Sequence, residues 1–146
     1  MKEERLCVFY SSNYHLSLIL LEYLKNEENK KYNTITFLEN GIDDEIRILK
    51  ERYQDKFNNI DKKINFERNN NYECTEIKEN SLIIIGGKIE YIKEVNKYVN
   101  DKIIEKGINN IKIINCFDFE EQRKYMSEVL KENDKILYTT GEKVID

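Results

Sequence analysis

The sequence is poor in the residues that bind metals. Its 146 residues include one histidine, His15, and three cysteines, Cys7, Cys74 and Cys116, which are widely separated and form no CxxC pair. We therefore expect no metal site built from cysteine and histidine within one chain. An odd number of scattered cysteines is typical of a reducing compartment. Proline is absent, and the abundance of Lys, Ile, Asn and Glu is typical of AT-rich bacterial genomes rather than of any function.

Long apolar runs and a surplus of positive charge are also missing. No run approaches the roughly 18 residues of a membrane span, and the first ten residues, MKEERLCVFY, lack the apolar region of a signal peptide. We therefore expect a cytoplasmic protein. The formal net charge of −4 argues against general binding of nucleic acid or anionic membranes, which need many Lys and Arg on one face. Short basic stretches at residues 30–31 and 62–63 are interpreted as solvated loop edges, with a local basic patch as the alternative.

The composition is that of one globular domain. Hydrophobic residues make up 40% of the chain and charged residues 36%, which combines a core with a highly charged surface. No internal repeat or linker divides the sequence. We expect a single domain over residues 1–146.

Short apolar runs alternate with segments of helical periodicity. Strands are predicted at residues 6–10, 34–38, 82–85, 111–114 and 136–140, with a weaker candidate at 60–66. Helices are predicted at residues 14–24, 42–57 and 88–106, and a fourth begins at Asp118, which forms a D-x-x-E capping box with Glu121. This alternation predicts a three-layer α/β domain, with a mostly parallel sheet of about five to six strands and helices on both faces.

Three segments carry further expectations. The helix at residues 14–24 is apolar at nearly every position, so it is either buried on more than one side or supplies an interface for a homodimer or another partner. The segment at 67–80 is interpreted as an exposed connection, with an edge strand near residues 72–77 or a flap over a site as alternatives. The helix at 42–57 carries one apolar stripe, formed by Ile42, Ile46, Leu49, Tyr53 and Phe57.

Residues 80–91, NSLIIIGGKIEY, combine a buried strand, a tight turn and a helix start. Ligands of open α/β sheets bind beyond the carboxyl ends of the strands, so the strand exits are the candidate sites. Helix starts rich in carboxylates, such as those at residues 43–45 and at Asp118, would repel an anion. Two exits lack such acids and are predicted to bind a phosphate or carboxylate through free amides. They are formed by Ser11, Ser12 and Asn13, and by Gly86, Gly87 and Lys88.

These two exits would be neighbours if residues 60–66 form a third strand and the strand order is 3-2-1-4-5-6. Thr140, at the exit of the last strand, is a further candidate ligand contact. The alternative is that Gly86 and Gly87 form only a turn and that Lys88 is a solvated helix start. The patterns GxxxxGK[ST] and GxGxxG are both absent, which argues against tight nucleotide binding of either standard type, and no cofactor is expected.

Neither a nucleophile elbow, GxSxG, nor a defensible pair of catalytic carboxylates is present, so we assign no catalytic residue. His15 lies near the first strand exit and is a candidate proton carrier or sensor, although a structural or surface histidine is favoured. Cys116 is a candidate redox or acylated residue, but cysteines in or beside strands commonly pack as small apolar side chains.

The opening segment, RLCVFYSSNYHLSLILLEYLKN, resembles the start of the MEDS sensory domain, a signalling module related to the RecA-like ATPase fold. Residues 105–140 are similar to the closing portion of that family: a glycine before a strand, a helix containing Tyr and a final strand. The chain departs from the family pattern at four positions, Arg5, Cys116, Phe119 and Met126. The resemblance implies a RecA-like fold whose polar site is eroded here, which favours a role in protein interaction.

The sequence thus predicts a non-catalytic regulatory or sensory domain that binds a signalling protein or a small anionic ligand at its strand exits. Such a domain would act by a population shift, because a ligand that contacts both exits favours one arrangement of them. Two alternatives stay open. One is an enzyme acting on a phosphorylated or nucleotide-like substrate, with Lys88 stabilising negative charge and Ser12 or Thr140 orienting the substrate. The other is a structural subunit of an assembly.

Overall fold

A computed structural model of the chain describes residues 3–118, 135–137 and 143–144. The strands are β1 (Glu3–Tyr10), β2 (Asn33–Leu38), β3 (Ser81–Gly87), β4 (Ile111–Asp118), β5 (Lys135–Leu137) and β6 (Lys143–Val144). The helices are α1 (Asn13–Leu24), α2 (Asp43–Arg52), α3 (Gln54–Phe57) and α4 (Ile89–Lys106), with short 3₁₀ turns at Glu27–Asn29 and Tyr72–Cys74.

The strands form one sheet in the order β2-β3-β4-β1-β5-β6. The four long strands β1 to β4 are parallel to their neighbours, β5 is parallel to β1, and β6 is antiparallel to β5. The expectation of a mostly parallel sheet is confirmed. Residues 119–134, which include the predicted capping box, and Thr140 lie outside the described residues.

Helices cover both faces of this sheet, so the predicted three-layer architecture is confirmed. Every residue of β3 is buried, and its side chains alternate between two cores. Leu82 and Ile84 pack with α1, α2 and α3 on one face. Ile83 and Ile85 pack with α4 on the other. This explains the uninterrupted apolar run in the sequence, because a parallel strand covered on both faces has no side that faces water.

Helix α1 is buried on more than one side, the first of the two readings of its apolar sequence. Ile19, Leu20 and Leu21 are fully buried, since α1 lies on the sheet and also contacts α2. Tyr14 is the large apolar residue of α1 that is substantially exposed, at 40%. The apolar face of α1 is therefore used within this chain.

The prediction of one helix over residues 42–57 is wrong at Tyr53. The backbone at Tyr53 has φ −122° and ψ 52°, which ends α2 and separates it from the four-residue α3. Tyr53 is 43% exposed, whereas Phe57 is 2% exposed. The break allows the side chain of Phe57 to enter the core while Tyr53 stays exposed. The ring of Tyr53 packs edge-on against that of Phe57, with a centroid distance of 6.3 Å.

The candidate strand at residues 60–66 is also wrong, and with it the predicted 3-2-1-4-5-6 order. Ile60 and Phe66 are buried, but they pack with α2 and α3 instead of joining the sheet. The N–H of Ile42 donates to the carbonyl of Phe66 at 2.9 Å, and the N–H of Asn69 donates to that of Leu38 at 2.8 Å. The segment therefore lies beside the end of β2.

Residues 70–80 form no edge strand. The ring of Tyr72 packs against Tyr91 and Tyr98 of α4, with centroid distances of 6.0 and 5.5 Å. The hydroxyl of Tyr98 lies 2.9 Å from the carbonyl of Thr75. The connection between α3 and β3 is thus attached to α4 before the chain enters β3.

Substitution of Leu49 tests the orientation of α2. Leu49 is fully buried, and Leu49→Ala should lower the free energy of unfolding by about 2–5 kcal/mol because it leaves a cavity. The neighbouring Ile48 is 40% exposed, and Ile48→Ala should cost less than about 1 kcal/mol. Urea unfolding followed by circular dichroism measures both. Equal losses in the two variants would contradict the single buried stripe.

Candidate functional site

The carboxyl ends of β1, β4, β3 and β2 lie along one border of the sheet, which we call the carboxyl edge. The register places Tyr10 of β1 opposite Asp118 of β4, and Gly87 of β3 opposite Phe117. Leu38 of β2 lies opposite Gly86. The candidate residues of both predicted exits are therefore on the same edge: Ser11, Ser12 and Asn13 follow β1, whereas Gly86 and Gly87 end β3 and Lys88 follows it.

The β1–α1 loop is formed by Ser11, Ser12 and Asn13, and all three residues are exposed. Ser12 is the N-cap of α1: its backbone is extended, with φ −157° and ψ 164°, and its Oγ accepts the N–H of His15 at 3.1 Å. The first turn of α1 contains no acidic residue. The amides of Asn13 and Tyr14 have no hydrogen-bond partner among the described residues.

The imidazole of His15 turns back onto Ser11. Its Nδ1 accepts the backbone N–H of Ser11 at 3.0 Å and lies 3.1 Å from the Ser11 hydroxyl. An N–H can only donate, so Nδ1 carries the lone pair and the ring proton lies on Nε2. His15 therefore stabilises the loop through one nitrogen and keeps a donor on the other.

The β3–α4 loop differs from its prediction. The backbone N–H of Lys88, the N-cap of α4, donates to Oε1 of Glu39 at 2.7 Å. Glu39 follows β2, the strand next to β3, and its backbone N–H donates to the carbonyl of Gly86 at 2.8 Å. A carboxylate of this chain thus already lies at the start of α4, where a negative charge is favoured. The Lys88 amide is therefore not open to an external anion, and the anion site predicted at this exit stays a prediction.

Glu39 also explains the second glycine of the pair. Gly87 has φ +150°, and a Cβ there would lie 2.5 Å from the Cβ of Glu39 and 2.7 Å from its Oε1. Any larger residue would be strained and would displace the carboxylate. The alternative that the glycine pair only forms a turn is therefore correct in part. Gly87 is required because a side chain there would clash with Glu39.

The same carboxylate affects Tyr91, one turn into α4. Burial raises the pKa of Tyr91 to about 12, and the negative charge of Glu39 contributes in the same direction. The hydroxyl of Tyr91 donates to the carbonyl of Asn69 at 2.9 Å. Glu39, Gly87 and Tyr91 therefore form one contact that joins α4 to the loops after β2.

The two predicted exits are not neighbours, because β4 lies between β1 and β3. Two strand spacings separate the ends of β1 and β3 by about 10 Å. The exit next to Ser11 is that of β4, which ends at Asp118. After β1 the chain crosses to β2, at one end of the sheet. The next strand after β4, β5, lies in the opposite direction, on the other side of β1. The strand order therefore reverses between β1 and β4, the position at which such sheets bind ligands.

Cys116 and Cys7 are fully buried. Cys116 packs in the core beneath α1 and Cys7 in the core beneath α4, so the two side chains lie on opposite faces of the sheet. Burial raises the pKa of the Cys116 thiol far above its ordinary value, and the neighbouring Cys7 contributes in the same direction. A thiol held neutral in this way is a poor nucleophile, so Cys116 packs as an apolar side chain.

The described residues contain no group of three His, Cys, Asp or Glu side chains placed to hold a metal ion. Among the same residues, no helix has both the length and the apolar character of a membrane span. Comparison of the chain with protein-family models, with curated proteins and with solved structures found no match. The resemblance of the opening segment to the MEDS domain stays a prediction.

A double-mutant cycle tests the contact between Glu39 and Gly87. Gly87→Ala should lower the free energy of unfolding by about 1–3 kcal/mol because of its positive φ and its clash with Glu39. In a Glu39→Gly background the clash is absent, so the same substitution should cost about 1 kcal/mol less. Additive losses in urea unfolding would show that Glu39 does not occupy this position.

Tyr91 should make the stability depend on pH in the alkaline range. Its folded pKa of about 12 exceeds the value of 10.0 of a free tyrosine, so the neutral ring stabilises the fold fully below pH 10. That contribution is lost as the pH rises from 10 toward 12, because the unfolded chain releases the proton first. Urea unfolding at several pH values should show a shallower decline for Tyr91→Phe than for the wild type. Parallel declines would contradict the raised pKa.

Proposed function

We propose that this chain is a non-catalytic, cytoplasmic regulatory domain that binds a small anionic ligand at the β1–α1 loop. The observation that carries this proposal is the state of the helix starts at the carboxyl edge. The first turn of α2 contains Asp43, Asp44 and Glu45, and α4 begins at the carboxylate of Glu39. Among the helices of eight or more residues in the described ranges, only α1 begins at the carboxyl edge without an acid in its first turn and without a carboxylate bound to its N-cap amide.

The start of α1 has the donors that an anion requires. The unpaired amides of Asn13 and Tyr14 point along the helix axis, whose positive end attracts negative charge. The exposed Ser11 and Ser12 add hydroxyl groups beside them. The loop also adjoins the boundary between β1 and β4, where the strand order reverses. Amides, hydroxyls and position together favour a phosphate or carboxylate group over a neutral ligand.

Asp118 limits which anions fit. It ends β4 opposite Tyr10, and it lies on the same face of the sheet as α1, since Ile114 and Cys116 of β4 belong to the core beneath that helix. A carboxylate on the neighbouring strand weakens the attraction for a highly charged ligand. We therefore infer a ligand of low charge, such as a carboxylate or a singly ionised phosphate.

The regulatory role rests on how α1 is packed. Because α1 contacts both the sheet and α2, an anion that orders its first turn favours one arrangement of these helices, which a partner protein can recognise. The similarity of the opening segment to the MEDS domain supports the same role from the sequence.

An enzyme acting on a phosphorylated or nucleotide-like substrate is less well supported. Its proposed cation, Lys88, follows β3 and is separated from Ser12 by the intervening strand β4. Ser11 and His15 are within hydrogen-bond distance, but Nδ1 of His15 already accepts the Ser11 N–H, so it is poorly placed to take a proton from the hydroxyl.

Asn13→Asp tests the proposal with an isosteric change. The new carboxylate lies in the first turn of α1, where it should weaken binding of inorganic phosphate or phosphoserine at least about tenfold while leaving the helix intact. Amide chemical shifts in nuclear magnetic resonance titrations measure the affinity. In the wild type, the shifts should concentrate at residues 11–15.

The matched control is Asn40→Asp, which adds the same charge at an exposed position on the same edge, in the loop before α2. It should change the affinity by less than about threefold. Asp118→Asn should bind at least as tightly as the wild type. Shifts centred on Lys88, or equal affinities of the Asn13 and Asn40 variants, would contradict the assignment. Nucleotide turnover by the wild type would favour the enzyme instead.

A further inference from the structure

A second cleft lies away from the carboxyl edge, between the end of α2, α3 and the segment that follows. It has a volume of about 270 Å³. The residues that line it are Lys50, Gln54, Phe57, Asn58, Ile60 and Lys62. We call it the α3 cleft. Neither Lys62, interpreted from the sequence as part of a solvated loop edge, nor Lys50 was expected to contribute to a site.

The charged groups that line the α3 cleft are all positive. Its lining contains two ammonium groups and no carboxylate, and neither Lys50 nor Lys62 forms an ion pair with the described residues. Burial lowers the pKa of Lys50, the negative charge of Asp61 acts in the opposite direction, and the positive charge of Lys62 adds a smaller effect that lowers it. An anion in the cleft would therefore stabilise the charged form of Lys50, which is partly desolvated.

The remaining walls are apolar or carry amides. Phe57 and Ile60 are 2% and 4% exposed and form part of the core beneath α1 and α2, so their positions are set by the fold. Gln54 and Asn58 can hydrogen-bond a polar group at the rim. Apolar walls with a few convergent polar groups are typical of small-molecule sites.

A neighbouring cleft of about 420 Å³ shares Lys50 and Gln54, but its electrostatics are different. Asp43, Glu51 and Glu67 also line it, and its Arg47 already lies 3.8 Å from Glu51. These acids oppose an anion there. The α3 cleft is thus the one of the two whose lining contains lysines and no carboxylate.

We propose that the α3 cleft is a binding site for a small carboxylate with an apolar body, whose carboxylate lies between Lys50 and Lys62 and whose chain packs on Phe57 and Ile60. At about 30 Å³ for each water-sized group, the cleft holds a molecule of roughly eight or nine heavy atoms. This site is separate from the β1–α1 loop, so it neither requires nor replaces the anion site proposed there.

Hexanoate and hexanamide are matched probes, because they share shape and apolar chain and differ in charge. Hexanoate should shift the amide resonances of residues 57–62 in a saturable manner, and hexanamide should bind at least about tenfold more weakly. Lys50→Gln should weaken hexanoate binding at least about fivefold, whereas Lys50→Arg should stay within about threefold of the wild type. Lys62→Gln provides a second variant, at an exposed position, with an effect in the same direction.

Lys97→Gln is the control for a general loss of positive charge, since Lys97 is exposed on α4, on the other face of the sheet. It should bind hexanoate as the wild type does. Equal affinities for hexanoate and hexanamide, or unchanged hexanoate binding in both Lys50→Gln and Lys62→Gln, would overturn the proposal. The phosphate titration of the Asn13 variant has no bearing on these outcomes.

Discussion

In the centre of the sheet, β1 pairs with β4 from Glu3 opposite Ile111 to Tyr10 opposite Asp118. Because β4 also pairs with β3, this interaction separates the ends of β1 and β3 and places Asp118 beside the β1–α1 loop. It also distributes the side chains of β1 between the two cores, with Leu6 beneath α1 and Cys7 beneath α4. The layers, the position of strand reversal and the composition of the candidate site all depend on this pairing.

The helix starts at the carboxyl edge are stabilised by three different means. In α2 the acids are local, at residues 43–45, and in α1 the cap is the hydroxyl of Ser12. In α4 the carboxylate belongs to Glu39, which is 49 residues from Lys88 in the chain. A charge argument from local sequence therefore misses the acids that arrive from elsewhere in the chain, Glu39 at α4 and Asp118 beside the β1–α1 loop.

The long connection before β3 shows why periodicity alone was insufficient. Residues 60–66 have the apolar residues of a strand, yet Ile60 and Phe66 pack on helices, and the chain then bonds to the end of β2 through Asn69. β2 ends the sheet on that side, so contacts of this kind shield part of its exposed backbone. The aromatic contacts of Tyr72 with α4 are likewise long-range, and no short pattern encodes them.

The sequence by itself determined the α/β class, the long strands and the helix α4, because each depends on periodicity or on contacts within a few residues. The tertiary structure alone decided the strand order, the break at Tyr53, the internal carboxylate at α4 and the pair of lysines in the α3 cleft. All but the break at Tyr53 depend on residues that are far apart in the sequence. Burial and charge between such residues are properties of the packed molecule, which is why the candidate site had to be reassigned from two loops to one.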